Sequence, residues 1–372
     1  MTADSSSPNV TRPRVVHLVP ALFGTAGIVG GGERYAFELA RHMAEVVPTR
    51  LVSFADRSLA YREGGLAVRA TGRPWYIDGQ RTNPFSVRFI AHLLWADVIH
   101  CHQQHVIASS LAALVARMTR KRVFVTDLGG GGRDVSNYVS TDSWYHGHLH
   151  LSEYSRHVFR HTTLPRARVI FGGVDTDKFS PDPGVRRTGT ALFVGRLLAH
   201  KGVMDLVDAA GPDTPVELVG RPYDAAFFRD LEARSQGKPV TFRHDVDDTG
   251  LVRAYRRALC LVLPSVYRDN YGRTTDVPEL LGQTLLEARA CGTPVICTRV
   301  ASMPEVVADG ETGFVVPPND PKTIRDRLCW FRDHPAEADR MGQAGRRRVL
   351  DLFTWPVVVR RCLEAYAGAG AQ

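Results

Sequence analysis

The chain reads as an α/β protein built from two doubly wound, Rossmann-like domains. Short apolar segments alternate with amphipathic helical stretches from Arg14 to the last helix. The 372 residues are enough for two cores of ordinary size. Several apolar segments also run into glycine-bearing loops that open helices, as in GIVGGGERYAFELA, ALFVGRLLAHKGVMDLVDAA and PELLGQTLLEARACG.

In chain order, Arg14 to Val19 is a buried strand, and the loop from Gly24 to Gly32 leads into a helix from Glu33 to Val47. Leu51 to Phe54, Ala67 to Arg69, Val98 to His100 and Val123 to Thr126 read as further strands. Phe85 to Trp95 and Ser109 to Thr119 read as helices. Leu149 to Ser152 and Arg168 to Phe171 approach a boundary near Asp175, and the second domain's first strand starts near Ala191. There, TPVICT is a short buried strand and FVV another. Asp309-Gly310-Glu311-Thr312-Gly313 is a turn, and Asp320 and Pro321 are an N-cap and first residue of a helix.

Hydrophobic content of 44% and charged content of 23% suit a globular domain, and no apolar run approaches the roughly 20 residues of a membrane-spanning helix. The stretch MTADSSSPNVTRPR lacks an apolar segment and is expected to be a short disordered leader rather than a signal peptide. Six cysteines show no CxxC spacing, so buried thiols in a reducing compartment are expected, and neither a disulfide framework nor a zinc site. The net charge of +8 is uneven. Residues 1–175 hold 20 Lys and Arg against 13 Asp and Glu, and the remainder 27 against 26. One concentration is SSLAALVARMTRKR, Ser109 to Arg122. It either complements a helix dipole or attaches to an anionic membrane surface or lipid-diphosphate acceptor. No nucleic-acid motif accompanies the charge, so no nucleic-acid partner is expected.

The densest chemistry lies in PELLGQTLLEARACG. Glu279 sits in a loop and Gly282 at a joint. Gln283, Thr284 and Leu285 form a first helical turn with amides free for an anion, and Glu287 lies one turn further on. After the strand ALFV, Arg196 and Lys201 place two cations at the carboxyl end of a parallel sheet, where such folds bind ligands. Together with TPVICTRVASMPEVVADGETGF, these segments resemble the C-terminal nucleotide-binding domain of the retaining family 4 glycosyltransferases. The shared pattern is a glutamate, seven residues and a second glutamate, then Ala-Cys-Gly-x-Pro-Val and Pro-Glu-Val-Val-x-Asp-Gly-x-Thr-Gly.

The resemblance implies the GT-B fold, with two Rossmann-like domains facing a central cleft. It implies an acceptor-binding domain at 1–175, a nucleotide-sugar-binding domain at 176–353, and a helix at 354–372 crossing back to the first domain. It also implies a retaining transfer of a hexosyl or related sugar from a nucleotide diphosphate sugar to an acceptor hydroxyl, in polysaccharide or glycoconjugate biosynthesis. The expected acceptors are a saccharide, a lipid-linked glycan or a small-molecule glycoside. The expected setting is the cytoplasm, with peripheral contact at the inner membrane face. A sugar-nucleotide epimerase or hydrolase of the same architecture, and a non-catalytic nucleotide-sugar-binding protein, stay open as alternatives.

By resemblance, Arg196, Lys201 and the amides of Gln283 to Leu285 hold the diphosphate, Glu287 the ribose and Glu279 the sugar hydroxyls. A segment from His244 to Val246 reads the base. Because Glu279 is given no part in holding phosphate, its replacement by Gln is expected to leave binding of free nucleoside diphosphate nearly unchanged. No metal and no cofactor beyond the nucleotide sugar are expected. In the N-terminal half, Gly30, Gly31 and Gly32 match a loop facing donor phosphate and acceptor. The glycine spacing lacks the dinucleotide pattern. DVIHCHQQH offers His100, His102 and His105, with His102 a candidate acceptor contact; His100 and His102 share a strand face, and no third metal ligand at convincing spacing is expected. The sequence departs from the family pattern in VFVTDLGGGGRD. Thr126 occupies the usual histidine position, which leaves Asp127 as the local carboxylate and a candidate catalytic residue beside Glu279, Arg196 and Lys201, with Gly129 to Gly132 as candidate amide donors. A second departure is Gly172, where asparagine is usual in the interdomain passage FGGVDTDKF. A longer loop with Tyr267, Arg268, Tyr271, Arg273 and Asp276 precedes Glu279.

Overall fold

A computed structural model describes residues 12–21, 23–24, 27–28, 30–129 and 132–368. Most of the expected leader, and Gly130 and Gly131 of the second glycine run, lie outside the described residues. The chain divides into two compact units. The first holds the chain up to Leu149, Leu164–Arg168 and the stretch from Val359 on; the second holds His150–Thr163 and Val169–Val358. The passage between these units falls at residues 149–169. The strands Gly147–His150 and Ala167–Val169 stay in the first unit's sheet, while the helix between them is held by second-unit groups.

The first unit contains β1 (Val15–Leu18), β2 (Phe23–Gly24), β3 (Gly27–Ile28), α1 (Gly31–Met43), β4 (Thr49–Ala55), β5 (Leu59–Glu63), β6 (Leu66–Gly72), β7 (Trp75–Tyr76), β8 (Pro84–Phe85), α2 (Ile90–Leu93), β9 (Val98–His102), α3 (Ile107–Met118), β10 (Arg122–Thr126), β11 (Gly147–His150) and β12 (Ala167–Val169). The sheet order is β12-β11-β10-β9-β1-β4-β6-β5; β11 through β6 run parallel and β5 is antiparallel. Alanines 108, 112, 113 and 116 of α3 are fully buried against β9 and β10, their small side chains allowing close approach to the sheet.

Two expected elements differ. The helix read at Phe85–Trp95 shrinks to Ile90–Leu93, because Pro84–Phe85 pairs with Trp75–Tyr76 and Ser86 Oγ takes the Arg88 amide at 3.2 Å. A serine that bonds nearby backbone offers an alternative to helix. The first helix stops at Met43 rather than Val47, ahead of two valines and Pro48, which disfavour helical continuation.

The second unit carries α4 (Glu153–Val158), β13 (Ala191–Val194), α5 (Val203–Ala209), β14 (Val216–Val219), α6 (Ala225–Ser235), β15 (Val240–Arg243), α7 (Asp248–Arg257), β16 (Leu261–Leu263), α8 (Gln283–Ala290), β17 (Val295–Thr298), α9 (Met303–Val306), β18 (Phe314–Val316), α10 (Pro321–Asp333) and α11 (Pro335–Leu352). Its sheet is wholly parallel in the order β15-β14-β13-β16-β17-β18. Successive strands are added in opposite directions on either side of the β13–β16 pair, and that switch point opens a crevice at the carboxyl ends of the strands. Asp320 caps α10 by accepting the Thr323 amide at 3.0 Å, with Pro321 as first residue. The last helix, α12 (Trp355–Gly368), passes from the second unit into the first. There the Tyr366 carbonyl accepts from Arg122 Nη1 at 2.7 Å.

Candidate active site

The loops after β13 and β16 flank the second unit's switch point, and they carry Arg196, Lys201 and Glu279. After β13 the chain turns through Gly195 and Arg196 into a 3₁₀ turn, Ala199–Lys201. Gly202 follows at φ 65°, and a Cβ there would stand 1.9 Å from the Pro264 carbonyl oxygen. Only glycine lets the β13 loop press against the chain leaving β16. Arg196 is exposed, its guanidinium 5.6 Å from the Tyr223 ring centroid, with no carboxylate partner among the described residues.

Lys201 has turned inward. Its Nζ lies 2.6 Å from Glu279 Oε2, and the two side chains are only 13% and 15% exposed. The backbone beside Glu279 is pinned from several sides. Ser302 Oγ donates to the Glu279 carbonyl (3.2 Å), Lys201 Nζ to the Pro278 carbonyl (3.3 Å), Ser152 Oγ to the Leu280 carbonyl (2.8 Å) and Tyr154 Oη to the Asp276 carbonyl (2.5 Å). Glu305, from the Pro-Glu-Val-Val run, fixes α4 in turn by accepting the Glu153 and Tyr154 amides, both at 2.7 Å. Burial pushes its carboxyl above the ordinary range, and the two amides oppose that shift.

Helix α8 starts after Gly282, whose φ of 80° requires the left-handed region. The expectation of three free amides is corrected to two, because Leu285 N–H bonds the Gly282 carbonyl at 2.9 Å in a tightened first turn. The amides of Gln283 and Thr284 have no backbone acceptor among the described residues. The Gln283 side chain donates to the Gly173 carbonyl at 3.1 Å. Glu287 is buried (8% exposed), and its Oε2 accepts from Tyr255 Oη at 2.7 Å. His244 and Val246 lie beyond β15, two strands from β13 or roughly 10 Å across the sheet. His244 Nδ1 donates to the Gly220 carbonyl at 2.7 Å. The long loop before Glu279 is folded on itself. Asp269 accepts from the Tyr271 and Arg273 amides and from Arg273 Nε (2.9, 3.0 and 2.9 Å), and Tyr271 Oη reaches Asp230 (2.5 Å).

Sequence reasoning missed His200 and Tyr255. His200 stands between the two cations in sequence. Burial first, then Lys201 and Arg196, lower its pKa to about 4, so a neutral imidazole adjoins the cations. Its place in the Arg-to-Lys segment was the available signal. Tyr255 is 32 residues from Glu287, and nothing local marks the pairing.

The first unit's switch point lies between β1 and β9. Helix α1 begins at Gly31, with Gly30 as N-cap and Gly32 beside Leu128. The Glu33 carboxylate folds back over this helix start, so that a Cβ on Gly30 would lie 2.8 Å from Glu33 Oε2. Asp127 follows β10 and is buried. Its Oδ1 accepts the Gly129 amide at 2.9 Å, while Oδ2 has no hydrogen-bond partner among the described residues and lies 3.9 Å from His105 Nε2. Burial raises its pKa, opposed by the Gly129 amide and His105. Of the glycine amides proposed as donors, Gly129 is taken by Asp127 and Gly132 by the His105 carbonyl at 2.7 Å.

The reading of two imidazoles without a third is also corrected. His17 on β1 is in register with His100 on β9, and His17, His100 and His102 offer ring nitrogens within 4.8 Å of one another. Strand alternation was the signal, because His17 faces the same side as its register partner. Both nitrogens of His17 are engaged, with His102 Nε2 at 2.8 Å and Met43 Sδ at 3.2 Å. Both of His100 are engaged as well, with Thr126 Oγ1 and Tyr366 Oη, each at 2.8 Å. The trio is therefore a hydrogen-bonded core cluster, and His102 Nδ1 alone lacks a partner among the described residues.

Two doubly wound units, each with polar groups at its switch point, define a GT-B fold. The Glycosyltransferase Family 4 pattern matches residues 29–178, and Glycosyl transferases group 1 matches residues 176–348. The chain belongs to this glycosyltransferase family. A D-rhamnosyltransferase of Pseudomonas aeruginosa is 32% identical over 201 residues, 51% of this chain and 50% of that protein. A GDP-mannose-dependent alpha-(1-6)-phosphatidylinositol monomannoside mannosyltransferase of Mycolicibacterium smegmatis is 32% identical over 237 residues, 59% of this chain and 61% of that protein. The chain thus spans half to three fifths of these relatives' length. Among solved structures, sucrose-phosphate synthase from Thermosynechococcus elongatus superposes with a TM-score of 0.72 at 21% identity, covering 96% of this chain and 99% of that one. HepE of Anabaena, in complex with UDP and glucose, gives 0.70 at 15%, covering 96% and 100%. At these identities the likeness is one of fold.

Proposed function

We propose that the protein transfers a hexosyl or related sugar from a nucleotide diphosphate sugar to an acceptor hydroxyl, with retention at the anomeric carbon and without a metal ion. The observation that carries the reading is the convergence, at the second unit's switch point, of Arg196, Lys201, the Gln283 and Thr284 amides and Glu279. Two cations and two amides suit the growing negative charge of a departing diphosphate. Glu279 accepts hydrogen bonds from sugar hydroxyls, and Glu287, braced by Tyr255, accepts from ribose. Residues His244 to Val246 read the base. The acceptor hydroxyl attacks on the leaving-group face and gives its proton to the departing phosphate, so the cleavage needs no protein base. The acceptor lies on the first unit, along Gly31, Gly32 and Asp127.

The test is a panel of uridine, guanosine, thymidine and adenosine diphosphate sugars, incubated with saccharide, lipid-linked and glycoside acceptors. We expect one donor class to be consumed at a rate unchanged by EDTA; an absolute requirement for Mg²⁺ or Mn²⁺ contradicts the cation roles of Arg196 and Lys201.

Peripheral attachment to an anionic membrane belongs to the same reading. Arg117, Arg120, Lys121 and Arg166 line a pocket of about 460 Å³ with His146, and Met118 beside them is 77% exposed. Lys121 and Arg122 stand at the amino end of β10, the opposite end of the strands from the switch-point loops. Cations flanking an exposed apolar side chain suit an anionic lipid surface. Changing Arg117, Arg120 and Lys121 to Glu is expected to abolish sedimentation with phosphatidylglycerol vesicles; undiminished sedimentation contradicts the attachment.

No helix among the described residues is long and apolar enough to cross a membrane.

A further inference from the structure

We propose that Lys201 and Glu279 form a displaceable ion pair that the intact nucleotide sugar opens and that re-forms after transfer to expel the nucleoside diphosphate. The proposal rests on the donor site described above and concerns how that site tells its substrate from its product.

The two cations offered to a diphosphate are in different states. Arg196 is exposed, without a carboxylate partner among the described residues. Lys201 is committed, 2.6 Å from Glu279 Oε2 with both side chains mostly covered. Neither partner's backbone is free to drift. Lys201 is followed by Gly202, packed against the Pro264 carbonyl, and the Glu279 loop is held by Ser302, Ser152 and Tyr154. The pair is therefore preorganised, and drawing Lys201 away leaves a poorly hydrated carboxylate without its cation.

The chemistry of the two ligands then decides the outcome. A nucleotide sugar brings a diphosphate for Lys201 and hydroxyl donors for Glu279, so both members of the broken pair find new partners. A free nucleoside diphosphate brings only the anion. It takes Lys201 from Glu279 and sets a second negative charge beside the carboxylate, and like charges at such range repel. Glu279 thus supports the substrate and opposes the product. When the sugar leaves for the acceptor, its hydroxyls leave Glu279, and the carboxylate competes with the diphosphate for Lys201. No bond is made or broken beyond the transfer itself. Replacing Glu279 by Gln would then tighten the binding of free nucleoside diphosphate, where the sequence alone leads to binding nearly as before.

The experiment is calorimetric titration of UDP, GDP, TDP and ADP into wild type, Glu279→Gln and Arg196→Gln. The Glu279→Gln variant is expected to bind the preferred nucleoside diphosphate about tenfold more tightly than wild type, a coupling of about 1.4 kcal/mol. It is expected to bind the matching nucleotide sugar no more tightly, and Arg196→Gln is expected to bind both more weakly. If Glu279→Gln binds the diphosphate no more tightly than wild type while Arg196→Gln loses affinity, the exchange is overturned and the donor site stands. If wild type binds none of the four, the donor site and the exchange fall together. A Gln variant that does not melt cooperatively is replaced by Glu279→Ala, for which the expected sign is the same.

Discussion

Glu279→Gln is expected to lower turnover about a hundredfold, the few kcal/mol that one electrostatic contact contributes at a transition state. The substitution keeps the side-chain volume and removes the charge. It leaves Arg196 exposed, the Gln283 and Thr284 amides in place and the loop backbone pinned through Ser302, Ser152 and Tyr154. The loss is therefore expected in kcat with the fold intact, because the carboxylate is assigned to the sugar on which positive charge develops. A melting curve matching that of wild type, alongside the fallen kcat, separates loss of chemistry from loss of structure. Wild-type turnover in the Gln variant refutes the role given to Glu279.

Acid is expected to unfold the protein through the imidazoles of the first unit. Burial lowers the pKa of His17 to about 3, and those of His100 and His102 fall well below the usual value. The neighbouring imidazoles add to that depression for His100 and His102. In the unfolded chain these groups take up protons near pH 6.5, while in the fold they stay neutral, so the unfolded state binds more protons in between. Stability is therefore complete above about pH 6.5 and falls as pH drops from there towards about 3. At pH 5 the loss from His17 alone is about 2 kcal/mol, and His100 and His102 act in the same direction. A loss of that size is a large fraction of the stability of an ordinary domain. The check is urea unfolding between pH 7.5 and 4.5, followed by a probe of the first unit. Adding His17→Leu is expected to flatten the curve, and an unchanged unfolding midpoint between pH 7 and pH 5 contradicts the prediction.

Much of the second unit was legible because its signals are local. Asp320 and Pro321 announce the start of α10 in adjacent residues, and the strand Phe314–Val316 and the joint at Gly282 are marked by their own turn chemistry. The positions of Arg196, Lys201, Glu279 and Glu287 followed from a motif that keeps its spacing. What was hidden lies in pairings across the chain. Lys201 and Glu279 are 78 residues apart, and only the switch point between β13 and β16 brings their loops together. The link between His17 and His102 spans 85 residues and depends on strand register. Local reading also erred where a short polar side chain competed with the helix, as Ser86 does ahead of Ile90–Leu93.

Acceptor-dependent cleavage of the donor is the most direct test of the proposed transfer. Nucleoside diphosphate release should be measured for the preferred nucleotide sugar with and without an acceptor, and the anomeric configuration of the product read by NMR. The expected result is release that rises with acceptor concentration and a glycoside with the donor's configuration at the anomeric carbon. Release at the same rate without acceptor, yielding free sugar alone, contradicts transfer and returns the chain to the hydrolase alternative.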